Sequence, residues 1–151
     1  MEERKAALGA TCTGQLCKAM LMQNRSHSGR DVPENSEFYL VVVQYVAAIN
    51  VKKMEAAVRT LLPPQERRGA SDFSFCVAKD SDSLEITGFA HNSVSPFGLA
   101  RKVPIILSKA VADEHRFMWM GGGHVDLKVG MSVEDFVRAT SCFVLDASNR
   151  K

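Results

Sequence analysis

Neither cysteine nor histidine occurs in a pattern that chemistry would need. Cys12, Cys17, Cys76 and Cys142 include no CxxC pair, and His27, His91, His115 and His124 make no HxxxH or HExxH motif. Zinc sites and dithiol couples both depend on such short spacings, so the expectation is free, buried thiols, no metal and no cofactor. Long apolar runs are missing too, and the first ten residues, MEERKAALGA, are charged where a secretory leader needs an apolar stretch. Nothing here is built to span a bilayer, and the chain is expected to be intracellular and cytoplasmic, without a membrane partner. Charge of one sign is equally scarce: 19 Lys+Arg against 17 Asp+Glu leave a formal charge of +2. A basic arm with general attraction for nucleic acid is thereby excluded, and any RNA contact has to be local. The pairs Lys52-Lys53, Arg67-Arg68 and Arg101-Lys102 are available for that, although such pairs ordinarily just face solvent.

What is present suits an ordinary core. With 151 residues, 46% of them hydrophobic, the chain is expected to fold as one domain over 1–151 without disulfides or metal. LCKAMLM (16–22) is apolar except for Lys18 and reads as a strand or a helix end, with the lysine either snorkelling outward or held in a cleft to meet an anion. Residues 24–36 are polar and aperiodic, a long, mobile, hairpin-like connection. FYLVVVQYV (38–46) is β-branched and aromatic without alternation, which predicts a central strand covered on both faces. Asn50 is placed to cap a helix that starts at Val51 and stops before Pro63-Pro64.

Further strands are predicted at 73–78, 103–107, 117–120 and 125–129, the last from the alternation in VDLKV. Asp80 is expected to cap a short helix closing at Gly88, and Ser132 with Asp135 to form a capping box for SVEDFVRAT, before a final strand CFVL and a polar tail. Regular βαβ alternation is absent. The order predicts a mixed α+β fold: a curled, barrel-like mixed sheet with helices packed outside it.

Two loops stand out between Thr87 and Gly130. One is Gly/Ser/Pro-rich (TGFAHNSVSPFGL) and the other holds a triple glycine (WMGGGHVDLKVG), with one strand's length between them. Backbone N–H groups in such loops can face a ligand at close range. The triple glycine lacks the GxxxxGK[ST] pattern, and Ser95 lacks a GxSxG elbow, so neither a P-loop nor a serine hydrolase is indicated. His91 and His124 flank the loops as proton carriers or plain hydrogen-bonding groups. Met118, Trp119 and Met120 read as core, with Trp119 a further option for a pocket wall.

In this order, LCKAMLMQ, EFYLVVVQYVAAINVKKMEAAV, TGFAHNSVSPFGL, KVPIIL, WMGGGHVDLKVG and SVEDFVRA resemble the YbaK and prolyl-tRNA synthetase editing-domain family, over about Gln15 to Leu145. Members hydrolyse amino acids wrongly attached to tRNA. The resemblance implies that Lys18 is the functional lysine, that Asn92, Ser93, Val94, Ser95 and Pro96 form a substrate loop, and that Gly121, Gly122 and Gly123 form a second one; the adjoining His91, Phe97, Gly98 and His124 are further candidate substrate-binding residues. Three departures accompany it. Asn92 stands where the family loop opens with glycine, Lys128 where an acidic residue usually follows the glycine turn, with Asp126 two positions earlier, and the opening helix and strand before Lys18 are short. The last suggests a domain cut from a longer protein, or a pocket that neighbouring sequence completes.

The implied partner is the 3′ terminus of an aminoacyl-tRNA, with a synthetase in cis or in trans. An aminoacyl ester is already activated, so the site mainly positions it and stabilises developing oxyanion charge, with loop N–H groups as donors and Lys18 holding a phosphate or the ribose or assisting proton transfer. Asn92 and Ser93 narrow the pocket, which suggests Ala, Ser, Thr or Cys on tRNA for proline or a related tRNA, in the manner of a second sieve. Two rival readings remain at this stage: an inactive module of the same fold that binds tRNA or a synthetase, and a nucleotide-binding protein.

Overall fold

The computed structural model describes residues 1–150. Its centre is strand β2 (Phe38–Gln44), buried at all seven positions. Side chains alternate across a strand, so Phe38, Leu40 and Val42 enter one apolar cluster with Leu107, Met118, Met120 and Phe136. Tyr39, Val41 and Val43 enter another, with Met54, Val58, Phe73 and Phe75. This explains why the sequence shows no alternation here: both faces are covered, and each buried aliphatic side chain contributes about 1.5–3 kcal/mol.

Around β2 lies a five-stranded sheet in the order β4-β1-β2-β5-β8, formed with β1 (Cys17–Asn24), β4 (Phe75–Val77), β5 (Ile105–Ser108) and β8 (Phe143–Leu145). β1 runs antiparallel to β2 and β4, whereas β5 is parallel to both β2 and β8. The expected mixed sheet with outer helices is therefore present, and it stays open at β4 and β8 instead of closing. Two ribbons complete the strands: β3 (Ala47–Ile49) with β9 (Ser148–Arg150), and β6 (Phe117–Gly121) with β7 (Lys128–Ser132). The helices are α1 (Glu2–Leu8), α2 (Val51–Arg59), α3 (Asp80–Thr87), α4 (Lys109–Glu114) and α5 (Val133–Thr140).

Two caps follow the sequence closely. The Asn50 side chain accepts the Lys53 N–H at 3.0 Å, and the Ser132 hydroxyl accepts the Asp135 N–H at 3.0 Å. Asp80 differs: it is the first residue of α3, whose N-cap position is Lys79 and has no side-chain cap bond, while Gly88 ends the helix in the left-handed region at φ 77°.

Other expectations need correction. Val125–Leu127 is a turn, and the strand begins only at Lys128, because the Leu127 carbonyl folds back to accept the Gly122 N–H at 2.9 Å. The segment between β5 and β6 contains α4, a helix not expected from the sequence, and the polar tail is paired with β3. Residues 24–36 are pinned: buried Asn24 accepts the Ser74 N–H at 2.8 Å and donates to the Asp72 carbonyl at 2.9 Å, and Asn35 donates to the Ser28 and Arg30 carbonyls. Trp119 lies across Gly130 and makes an edge contact with Phe117 on the β6–β7 ribbon, outside the lining of the cleft described below, while Met118 and Met120 are fully buried.

Candidate active site

β1 changes character along its length. It pairs with β2 from Cys17 to Gln23, but with β4 only at Met22, Gln23 and Asn24. The Asn24 N–H bonds toward β2, so in an antiparallel ladder the even residues face β2, and the backbone groups of Ala19 and Leu21 face the other edge. The Leu21 carbonyl accepts the Ala78 N–H at 2.9 Å as the chain leaves β4. Beyond that point the edge opens onto a cleft of about 350 Å³. Small-ligand pockets run from roughly 300 to 1,000 Å³.

The cleft is lined by Lys18 to Leu21 of β1, by Val77, Ala78, Asp80 and Ser83 from β4 and α3, by Phe89, His91, Asn92 and Val94, by Gly121 and Lys128, and by Tyr45. Lys18, His91, Asn92, Val94 and Gly121 are thus brought together from three distant segments. Asn92 reaches its place with φ 63°, a left-handed conformation that asparagine tolerates better than most residues.

The remaining loop residues stand behind this lining and shape it. The Ser93 hydroxyl donates to the Ala90 carbonyl at 2.7 Å, and the Ser95 hydroxyl accepts the Phe97 N–H at 3.2 Å. Both serines and Pro96 are buried. Phe97 packs edge-on against Phe136, and Gly98 turns the chain at φ 74°.

The glycine turn supports the first loop directly. A Cβ on Gly121 would lie 2.3 Å from the Val94 carbonyl oxygen, and one on Gly123, at φ 97°, would lie 3.0 Å from the Phe89 ring. The bare backbone therefore admits the neighbouring loop. The Gly122 N–H is bonded to the Leu127 carbonyl, and the His124 ring accepts the Asp126 N–H at 3.2 Å on an exposed turn.

Charge gathers at the rim. Lys18 and Lys128 are both half-buried and line the same cleft, and the Arg4 guanidinium sits over the Tyr45 ring at 5.6 Å. Desolvation first, and then Arg4, pull the Lys128 ammonium below the usual lysine range, with Asp126 opposing. His91 lies 3.9 Å from Asp80 on the exposed lip. Cys17, next to Lys18, points into the core, and burial pushes its thiol up to about 12, which excludes it as a nucleophile. Among the described residues, no group of three His, Cys, Asp or Glu side chains is arranged to hold a metal ion.

Sequence reasoning passed over Tyr45, Ser83 and Phe89, and treated Lys128 only as a departure. The register of the glycine turn was the available signal. An antiparallel pair across that turn sets Lys128 directly opposite Gly121.

A model of the aminoacyl-tRNA editing domain matches residues 1–139. The chain belongs to the aminoacyl-tRNA editing domain family. The match includes α1 and begins well before Gln15. No curated protein matches the sequence.

Among solved structures, a candidate trans-editing enzyme for prolyl tRNA synthetase is similar at 19% identity and a TM-score of 0.75, covering 98% of this chain and 78% of that one. The hypothetical protein APE2540 is similar at 18% identity and a TM-score of 0.73, covering 98% and 83%. A scaffold from epitope grafting by computational design is similar at 17% identity and a TM-score of 0.76, covering 99% and 81%. At such identities the likeness establishes the editing-domain fold. No helix among the described residues is long and apolar enough to cross a membrane.

Proposed function

We propose that this editing domain is an aminoacyl-tRNA deacylase that removes a small amino acid, Ala, Ser, Thr or Cys, from tRNA for proline or a related tRNA. The observation that carries the reading is the single cleft in which Lys18, the Asn92–Val94 loop and Gly121 meet. Water attacks the ester carbonyl, the bond to the ribose oxygen breaks, and that oxygen leaves as the hydroxyl, giving free amino acid and intact tRNA. The substrate is already activated, so placement and charge stabilisation supply most of the catalysis.

In this reading Lys18 is a compact cation at the ribose or ester, with its stem laid along β1. Val94 and Gly121 are the loop positions nearest the substrate. The Gly122 and Phe97 N–H groups already have partners, which leaves the oxyanion role to other loop donors such as the Val94 N–H. Asn92 and His91 stand at the lip and limit the size of the side chain admitted. A synthetase, in cis or in trans, would supply the mischarged tRNA. The measurement is release of labelled amino acid from tRNA carrying each of the four residues. Turnover of at least one, above turnover of correctly charged prolyl-tRNA, is expected; a folded protein inactive on all four would remove the hydrolytic reading in favour of a binding module.

A further inference from the structure

The cleft holds a second lysine whose placement is not accidental to the sheet. Leu16 and Trp119 form an isolated parallel bridge that brings β6 alongside the start of β1, and Lys18 and Gly121 both line the cleft beyond it. Gly121 in turn pairs with Lys128. Lys18 and Lys128 therefore line one cleft together with Gly121, a position without a side chain. Arg4 approaches from α1 over Tyr45, close enough to act on Lys128 electrostatically.

In a chain with a formal charge of only +2, this sets Lys18, Lys128 and Arg4 around one rim, with Asp80 and Asp126 as the acidic neighbours. Like charges crowded on a partly desolvated surface repel, and an anion seated between them relieves the repulsion. The α-ammonium of an aminoacyl ester is a cation and gains nothing from a place between the two lysines. The anion of the same substrate is the phosphodiester on the 5′ side of its terminal adenosine.

We propose that Lys128 is a second anion-binding residue of the cleft, which holds the terminal phosphodiester of the acylated strand from the side opposite Lys18. The role is positional: Lys128 fixes the nucleotide, and Lys18 acts nearer the ester. The proposal rests on the editing reading for its substrate but not for its chemistry, since an anion slot flanked by these lysines binds a nucleotide phosphate whether or not an ester is cleaved.

The experiment uses AMP and adenosine as probes, titrated calorimetrically at low and at physiological salt into the full chain and its Lys128→Met and Lys128→Arg variants. The unsubstituted protein should bind AMP about tenfold more tightly than adenosine, the scale of one hydrogen bond to a charged group. Lys128→Met should erase that preference and leave adenosine binding unchanged, and Lys128→Arg should largely restore it. Equal affinity for both probes, an AMP preference that survives Lys128→Met, or no binding of either probe at millimolar concentration overturns the proposal.

With an active substrate, Lys128→Met should raise KM for aminoacyl-tRNA with little change in kcat, and should not affect hydrolysis of an aminoacyl-adenosine that lacks the phosphate. If no aminoacyl-tRNA is cleaved while the AMP preference and its loss in Lys128→Met are observed, the deacylase reading fails and the anion site stands.

Discussion

β1 is one strand with two halves. From Met22 to Asn24 it is interior, bonded to β2 on one side and β4 on the other, and ends in the buried Asn24 network. From Lys18 to Leu21 it has β2 on one side and the cleft on the other. The backbone conformation is the same in both halves. What differs is whether β4 pairs with the outer edge, and that decides whether a side chain there contributes to stability or is available to a ligand. An edge left unpaired is a liability in most sheets. Here the 89–94 loop and the β6–β7 ribbon, bridged to Leu16 just before β1, line that edge, which turns the gap into a site.

Substitution of Lys18 gives the largest effect expected of this contrast. Lys18→Ala should lower deacylation by about 10²–10⁴-fold, the range for a positioned group acting near the reacting atoms, while urea unfolding stays within about 0.5 kcal/mol of the parent. A variant that retains full activity would remove Lys18 from the site. The paired half should behave oppositely. Met22→Ala, at a fully buried position, should cost about 2–5 kcal/mol, whereas Met20→Ala, half-buried beside the cleft, should cost under about 1 kcal/mol. Equal losses at the two positions would mean that the cleft half is as tightly packed as the interior half, and the contrast would fail.

Much of this division was legible in advance. Uniform burial of β2 follows from a run of apolar β-formers too dense to have a solvent face, and Asn50 and Ser132 cap their helices because a short side-chain oxygen before a helical run has few other partners. The two loops and Lys18 were legible as pieces with a family resemblance. Their closeness was expected from that resemblance alone, because it depends on where β4 stops pairing, which no local pattern encodes. Lys128 was hidden for a related reason: the alternation in VDLKV suggests a strand, and only the bond from Gly122 to the Leu127 carbonyl shows that those residues turn and deliver Lys128 opposite Gly121. The glycines were likewise read as making room for a ligand, although Gly121 and Gly123 first make room for Val94 and Phe89.

That last point sharpens the comparison at intermediate size. Gly121→Ala places a methyl 2.3 Å from a backbone carbonyl, which cannot swing away as a flexible side chain would. The Val94 loop must lift, at a cost of about 1–3 kcal/mol by the usual scale of overpacking. Because Val94 lines the cleft, deacylation should fall about tenfold or more, as expected when reacting groups are displaced by fractions of an ångström. Gly69→Ala is the control, since its nearest contact would be ordinary at 3.7 Å, and it should leave both stability and rate unchanged. A Gly121→Ala protein with normal stability and normal rate would separate the glycine turn from the site.

The smallest effect is expected at His91, and it decides between two roles for the lip. The His91 side chain is 76% exposed and its contact with Asp80 is long, at 3.9 Å, with the carboxylate 93% exposed. Exposed pairs of this kind hold geometry weakly and are screened by salt. A proton carrier needs a fixed approach to the reacting oxygen, within hydrogen-bond reach or through one water. His91→Gln, which keeps a hydrogen-bonding side chain of similar reach but removes the titrating ring, should therefore change the rate only a few-fold and leave the pH profile unaltered. If the variant instead loses about a hundredfold and the profile loses a limb near neutral pH, His91 is the general acid or base, and the placement-only account of the chemistry is wrong. Full retention of the profile would leave the work of the site with the half of β1 that β4 leaves unpaired.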